Sequence, residues 1–157
     1  MNDSVSSDAI WQLFLSFTRS GVVEVDFLPR QIRYSAALAD LIKLTPETMP
    51  HTFEQWFELY HPDDYSKSLT LRHDLFESTQ TTFSLERRLC CGDAQYRWFR
   101  LDAFCARNET GEIERLIGVE TDLSPQKDYE RQLTSQISIA EELRKKLAAT
   151  EKQRDQL

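Results

Sequence analysis

The sequence predicts an α+β fold: a five-stranded antiparallel sheet with short helices on one face, an N-terminal amphipathic helix and a C-terminal coiled-coil helix. Three observations predict it. Long alternating runs fill residues 81–123, short helical segments precede them, and a charged segment with a seven-residue apolar repeat follows. We therefore expect an N-terminal helix at residues 1–20, a central domain at 21–124 and a C-terminal helix at 125–157.

Composition limits the classes of function. The chain has 157 residues and a net charge of −7, which suits one domain plus an appendage and disfavours nucleic acid as a partner. No apolar run approaches the roughly 20 residues that span a bilayer, and no signal peptide is evident, so we expect a cytoplasmic protein without direct membrane contact. Three cysteines without CxxC spacing predict neither a disulfide framework nor a zinc site.

The first part of the chain alternates helical and extended segments. Apolar residues at three- and four-residue spacings predict an amphipathic helix over residues 7–18. Residues 22–28 and 31–35 predict two strands joined by a tight turn. A brief helix is predicted at 36–44, where it stops before a proline.

A helix break divides the next segment, residues 52–78. Pro62 cannot donate into a preceding helical turn, so two helices are predicted on either side of it, with Asp63 as the cap of the second. The motif His61-Pro62-Asp63-Asp64 mixes an imidazole with carboxylates. Its position at the break favours turn and capping roles over catalysis.

Three long extended runs, at 81–91, 94–107 and 112–123, predict an antiparallel meander. The middle run carries bulky apolar side chains on both alternating faces, so each face of the sheet needs a cover. We expect the short helices to cover one face. The N-terminal helix or a second copy of the chain would cover the other.

This order of elements, with five short motifs inside it, resembles the PAS sensory domain with its C-terminal PAC segment. The motifs are HPDD at 61–64, SLERRL at 84–89, YRWF at 96–99, TGEIERLIGVETDLS at 110–124, and Lys127 with Glu130. Residues 122–124 look like the Asp-Ile-Thr signature that closes many PAS domains. One departure is Gly92-Asp93, which stands where the family usually has Asp-Gly and leaves the turn type open.

The resemblance implies a non-catalytic, homodimeric sensory module that relays a signal through Asp122, Leu123 and Ser124 into a parallel coiled coil. Such helices commonly lead to a diguanylate cyclase or histidine kinase domain, neither of which lies in this sequence. No nucleophile–base arrangement, phosphate-binding glycine loop or metal-ligand spacing is found, which argues against an enzyme. The alternative is a ligand-free dimerisation scaffold whose core is filled by its own side chains.

The junction between the last strand and the C-terminal helix is short. Ser124 can cap the helix, and Pro125 fits its first position because no N–H is needed there. Beyond it, a heptad pattern predicts a coiled coil, with a solvated single helix as the alternative. The repeat stops in mid-pattern at Leu157, from which we expect the protein to continue. The residues expected at dimer contacts are Leu133, Ala140, Leu143, Leu147, Ile10, Phe14 and Phe17.

Arg87 is the most informative candidate for ligand binding. It shares a strand face with apolar residues, so it either anchors an anionic ligand or extends to the sheet edge, and burial statistics favour the edge. Asp102 and Glu120 are its candidate partners. Phe99 and Leu101 complete the expected ligand contacts.

The resemblance also raises two cofactors. His73 lies on the helix that supplies the haem ligand in haem-binding PAS proteins, yet a lone histidine on a polar helical face is usually solvated, so haem is disfavoured. Flavin is disfavoured too, because Cys90, Cys91 and Cys105 all fall in predicted strands and not in the helical motif of photosensory relatives. The ligand and the cofactor stay open, and no metal site is expected.

Overall fold

A computed structural model describes residues 7–28 and 30–154 of the chain. It divides into two units, residues 1–123 and 124–157, and within the described part the first unit contains the sheet and four helices. The elements are α1 Ser7–Phe17, β1 Ser20–Asp26, β2 Gln31–Tyr34, α2 Ala36–Ile42, α3 Phe53–Glu58, α4 Pro62–Glu77, β3 Thr82–Cys90, β4 Tyr96–Arg107, β5 Ile113–Asp122 and α5 Ser124–Arg154. The predicted fold class is confirmed.

The sheet is antiparallel throughout, in the order β2-β1-β5-β4-β3. The three long strands form the predicted meander. Strand β1 inserts between β2 and β5, so the beginning of the sheet pairs with its end, for example at Val23 opposite Gly118. This order places β5 at the centre of the sheet, where it pairs on both sides.

One face of the sheet, called the inner face here, forms the core with helices α2, α3 and α4. The core is built from buried apolar side chains, which include Val23, Val25, Leu38, Ile42, Trp56, Leu75, Leu89, Phe99, Leu101, Cys105 and Leu116. Helix α2 lies directly on β1, and a Cβ added to Gly21 would come within 2.4 Å of the Leu38 Cβ. Glycine at this position therefore permits the close packing of α2 against the sheet.

The opposite face, the outer face, keeps apolar side chains exposed. Phe104, Ile117 and Val119 on β4 and β5 are 48%, 43% and 38% exposed. Helix α1 contacts β1 and α2 and buries Leu15. Its other large apolar side chains are exposed, namely Ile10, Trp11, Leu13, Phe14 and Phe17. The prediction that the short helices cover one face is confirmed, and the outer face and α1 both present apolar surface to solvent in the single chain.

The helix break at Pro62 lies where the sequence predicts it. Proline occupies the first position of α4, and the N-cap is His61, whose Nδ1 accepts a hydrogen bond from the Asp63 N–H at 3.2 Å. The prediction of Asp63 as the cap was therefore wrong by two residues. Asp63 lies instead in the first turn, where its negative charge interacts favourably with the positive end of the helix dipole.

The β3–β4 hairpin explains the Gly92-Asp93 order. The Gly92 N–H donates to the Ile42 carbonyl at 2.9 Å, and a Cβ on Gly92 would lie only 1.9 Å from the Lys43 carbonyl oxygen. The left-handed residue of the turn is Ala94, with φ of 58°. Glycine is thus needed for close approach to the end of α2, and the turn places its positive φ two residues later.

The second unit is described as the single helix α5, which begins at Ser124 and has 31 residues. Its large apolar side chains are exposed, namely Tyr129, Leu133, Ile137, Ile139, Leu143 and Leu147. The heptad residue Leu157 lies outside the described residues. Within the described part of the chain, no helix is both long enough and apolar enough to cross a membrane.

Candidate functional site

A small cavity lies between the inner face of the sheet and helices α3 and α4. Its volume is about 50 Å³. The wall is almost wholly apolar and consists of Phe27, Phe53, Phe57, Tyr60, Ser68, Leu71, Leu75, Phe76, Phe83, Leu85, Leu101 and Leu116. Of the two apolar residues expected at a ligand, Leu101 lines this cavity, while Phe99 is fully buried beside it in the sheet, opposite Arg87 on β3.

Arg87 is fully buried and forms a two-point ion pair with Glu120. One of its terminal nitrogens donates to Glu120 Oε2 at 2.8 Å and the other donates to Oε1. Burial opposes the charge on the guanidinium, but the Glu120 carboxylate outweighs it, so the pKa of Arg87 is raised. Arg87 therefore does not extend to the sheet edge, and it reaches across β4 to β5.

The second candidate partner, Asp102, lies on the other side of the sheet. Asp102 is exposed and accepts a hydrogen bond from Arg100 at 2.8 Å. The alternation of side chains explains the difference: Leu101 faces Glu120 across the β4–β5 ladder, so Asp102 points to the outer face. Register, which the sequence alone does not determine, selects Glu120.

Two further features distinguish Arg87. Its guanidinium carbon lies 5.2 Å from the centroid of the Tyr60 ring, and Tyr60 also lines the cavity. Among the described residues, the Arg87 Nε is a buried donor without a hydrogen-bond partner. Leaving a buried donor unpaired costs about 1–3 kcal/mol. The charge of Arg87 is thus compensated by Glu120, but among the described residues its Nε donor has no hydrogen-bond partner. The guanidinium lies next to Tyr60, a residue of the cavity wall.

A second ion pair explains the HPDD motif. The Asp64 carboxylate accepts three hydrogen bonds of 2.9 Å from the backbone N–H, the Nε and a terminal nitrogen of Arg88. The hydrogen bonds from the Arg88 side chain lower the pKa of Asp64 against the opposing effect of burial. This pair joins α4 to β3, so the motif has a structural role at the helix break.

The end of β5 is held by contacts from two other segments. Asp122 is buried, its carboxylate pairs with the Arg19 guanidinium, and its N–H donates to the Arg19 carbonyl at 3.0 Å. The next residue, Leu123, is also buried and donates to the Trp98 carbonyl at 2.8 Å. Sequence reasoning missed Arg19, because its contact with Asp122 spans 103 residues and follows only from the β1–β5 pairing.

The residues around the cavity do not fit haem or flavin. His73 is exposed on α4 and is not part of the cavity wall. A volume of about 50 Å³ is far below that of either cofactor. Cys90 and Cys105 lie in β3 and β4 and Cys91 directly follows β3, so these thiols are not on a helix. Within residues 7–28 and 30–154, no group of histidine, cysteine and acidic residues is suited to hold a metal ion.

Comparisons with known proteins agree with this geometry. A family model described as PAS fold matches residues 31–120. The probable diguanylate cyclase DgcE of Escherichia coli strain K12 is 26% identical over 113 residues, which cover 72% of this chain and 10% of that protein. The chain thus spans about a tenth of the length of this curated relative.

Solved structures show the same fold. A sensory box histidine kinase/response regulator from Burkholderia thailandensis E264 has a TM-score of 0.68 at 23% identity, covering 86% of this chain and 98% of that one. The N-terminal domain of a diguanylate cyclase with PAS/PAC sensor from Marinobacter aquaeolei has a TM-score of 0.61 at 19% identity, covering 68% and 97%. At these identities the likeness concerns the fold.

Proposed function

The chain belongs to the PAS fold family, and on that premise we propose that it senses a small ligand and relays the change through Asp122, Leu123 and Ser124 into a dimeric coiled coil. The observation that carries the proposal is the buried end of β5. Asp122 and Leu123 are both buried and bonded to other segments of the sheet unit, and a single residue separates β5 from α5. A connection this short transmits movement that a flexible linker would absorb.

The proposed effector is a diguanylate cyclase or a histidine kinase domain in the same polypeptide. The names of the similar proteins support these two classes, because they include a probable diguanylate cyclase and a sensory box histidine kinase. In this proposal the PAS unit is regulatory and non-catalytic, and the protein acts in the cytoplasm. Binding of a ligand shifts a two-state arrangement only by its difference in affinity for the two states.

The proposed homodimer uses two exposed apolar surfaces. On α1, Ile10 and Phe14 are 55% and 54% exposed and Phe17 is 80% exposed, which is a large unpaired apolar surface for one short helix. On α5, Leu133, Ala140, Leu143 and Leu147 are exposed at heptad spacing. Association of two chains along both helices would bury them.

The alternative, a ligand-free dimerisation scaffold, is favoured by one observation. The cavity of about 50 Å³ is small compared with typical ligand pockets of roughly 300–1,000 Å³. In the scaffold, side chains fill the core and only assembly matters. Native mass spectrometry of the purified protein separates the two functions, since a bound small-molecule mass supports sensing and its consistent absence supports the scaffold.

Replacing Asp122 with Ala in the full-length protein tests the relay. Loss of the carboxylate removes the Arg19 contact at the end of β5, so we expect the effector to lose its response to the stimulus. Asp102→Ala is the matched control, because it removes an exposed aspartate from the outer face of the same sheet. Equal responses in the wild type and both variants would show that the relay does not pass through Asp122.

A further inference from the structure

Three phenylalanines separate the inner cavity from a larger outer cleft. Phe27, Phe53 and Phe76 line both spaces. The cleft has a volume of about 650 Å³ and lies between the end of β1, the start of α3 and the β4–β5 loop. The cavity and the cleft are thus adjacent, with the aromatic side chains between them.

The Phe27 ring contacts each of the other two rings edge to face. The centroids of Phe27 and Phe53 are 5.7 Å apart, and those of Phe27 and Phe76 are 5.4 Å apart. Phe76 is the most exposed of the three, at 40%, and lies near the C-terminal end of α4. Its ring can rotate toward solvent with a smaller loss of buried apolar area than the other two, and such rotamer changes are rapid for exposed side chains.

The chemistry of the inner cavity excludes ions. The adjacent charged groups, Arg87 and Glu120, neutralise each other in a two-point pair, and Tyr60 forms the wall beside them. An ion that left water for this apolar space would have no opposite charge to pair with, at a cost of several kcal/mol. An apolar molecule loses no hydrogen bonds on entry, and apolar cavities are commonly dry.

We propose that the inner cavity binds a compact, uncharged, apolar molecule that enters from the outer cleft when Phe76 rotates outward. This inference rests on the proposed sensory function and gives it a ligand class. The cavity of about 50 Å³ is a third of the engineered cavity of about 150 Å³ that holds benzene or xenon. A ligand as large as benzene therefore keeps the Phe76 ring displaced from the cavity.

Xenon and benzene are suitable uncharged probes for the purified chain, with acetate and methylammonium as small ions of either sign. We expect both uncharged probes to shift the methyl NMR signals of Leu75, Leu85 and Leu116, and the ions to leave those signals unchanged at the same concentration. Larger shifts with either ion, or xenon shifts confined to other methyl groups, would overturn the proposed ligand class.

Variants at Phe76 test the proposed route by which a ligand enters the inner cavity. Phe76→Ala should speed xenon exchange severalfold and Phe76→Trp should slow it, because the side chain of residue 76 lies between the outer cleft and the inner cavity. Phe104→Ala, which truncates another exposed phenylalanine, 48% exposed on the outer face, should leave exchange at the wild-type rate. Equal exchange rates in all four proteins would exclude entry past Phe76.

The outcomes also separate this inference from the proposed function. Probe binding is measured on the chain alone, whereas the relay is measured as effector output in the full-length protein. Xenon in the cavity together with an unaffected Asp122→Ala variant would refute the relay and keep the ligand class. A stimulus response that depends on Asp122, without probe binding, would refute the ligand class alone.

Discussion

Two arginines, one from each side of β5, pair with two carboxylates on that strand. Glu120 and Asp122 face the core two residues apart, and they pair with Arg87 from β3 and Arg19 from the segment before β1. A carboxylate on an apolar face is costly unless it is paired. The central strand therefore depends on partners that lie in other elements, which makes it sensitive to movements of those elements.

Replacing one member of the buried pair Arg87–Glu120 should destabilise the fold strongly, whereas replacing both members should change the free energy of unfolding much less. Arg87→Met or Glu120→Leu alone leaves a buried charge unpaired, so we expect each to lower the free energy of unfolding by about 3–5 kcal/mol. The double variant should be much less destabilised than the sum of the two. Urea denaturation of all three proteins measures this.

The exposed pair Arg100–Asp102 provides the control for this cycle. Both side chains are more than a third exposed, so Arg100→Met should cost at most about 1 kcal/mol. Additive losses in the Arg87 and Glu120 variants would contradict a strongly coupled pair.

Asp64 should make stability depend on pH in the acid range. Its pKa is lowered in the folded state, so its contribution is present above the unfolded value of about 3.9 and is lost as the pH falls through the folded pKa. Asp64→Asn should lose about 1.5–3 kcal/mol at neutral pH, and the difference from the wild type should shrink below about pH 4. Denaturation midpoints of the wild type and Asp64→Asn, measured from pH 2 to pH 7, test this pH dependence.

The neighbouring aspartate is the matched control. Asp63 has a side chain that is 72% exposed, and Asp63→Asn should cost about 1 kcal/mol or less at neutral pH. A constant difference between the wild type and Asp64→Asn at every pH would show that the carboxylate charge is not the source of the stabilisation.

Which side chains pair with one another was the least predictable feature of the structure from the sequence. The alternation along β3 correctly places Arg87 on the core face, but general burial statistics favour the sheet edge for an arginine. The outcome depends on Glu120 being on the same face of β5, and that follows from strand register. Arg19 carries no local signal at all, because its role arises from a strand pairing between distant segments.

Helices and strands were more predictable than side-chain contacts, because the sequence patterns that indicate them are local. Turn residues and alternation identify the three long strands, and Pro62 fixes the helix break. The insertion of β1 between β2 and β5 was not predicted, since it depends on pairing over about a hundred residues. Coiled-coil assembly of α5 stays a prediction, supported by its exposed heptad residues.

The proposed dimer contact along the apolar heptad residues of α5 can be tested at one position. Leu143→Glu places a charge in the apolar repeat of both chains, and like charges face each other in a parallel dimer. We expect the dimer dissociation constant to rise strongly, as measured by analytical ultracentrifugation. Ser138→Glu adds the same charge on the opposite side of the helix and should leave dimerisation unchanged. A dimer of unchanged affinity in Leu143→Glu would place the interface elsewhere.

At the scale of the whole molecule, one sheet joins the cavity wall to the strand that precedes α5. Leu85 and Leu101 line the cavity, the Arg87–Glu120 pair crosses from β3 to β5, and β5 leads to α5 after a single residue. In the proposed relay, a change at the cavity would reach β5 through packed side chains and the Arg87–Glu120 ion pair. The proposed relay requires that β5 and the start of α5 move as one stiff segment.

Backbone ¹⁵N relaxation of the purified chain, measured across residues 119–130, reports directly on the rigidity of this segment. A stiff segment should give order parameters near 0.85, the value of rigid backbone, without a drop at Leu123 or Ser124. Order parameters below about 0.6 at these two residues, between rigid values on either side, would show a flexible joint and contradict the relay.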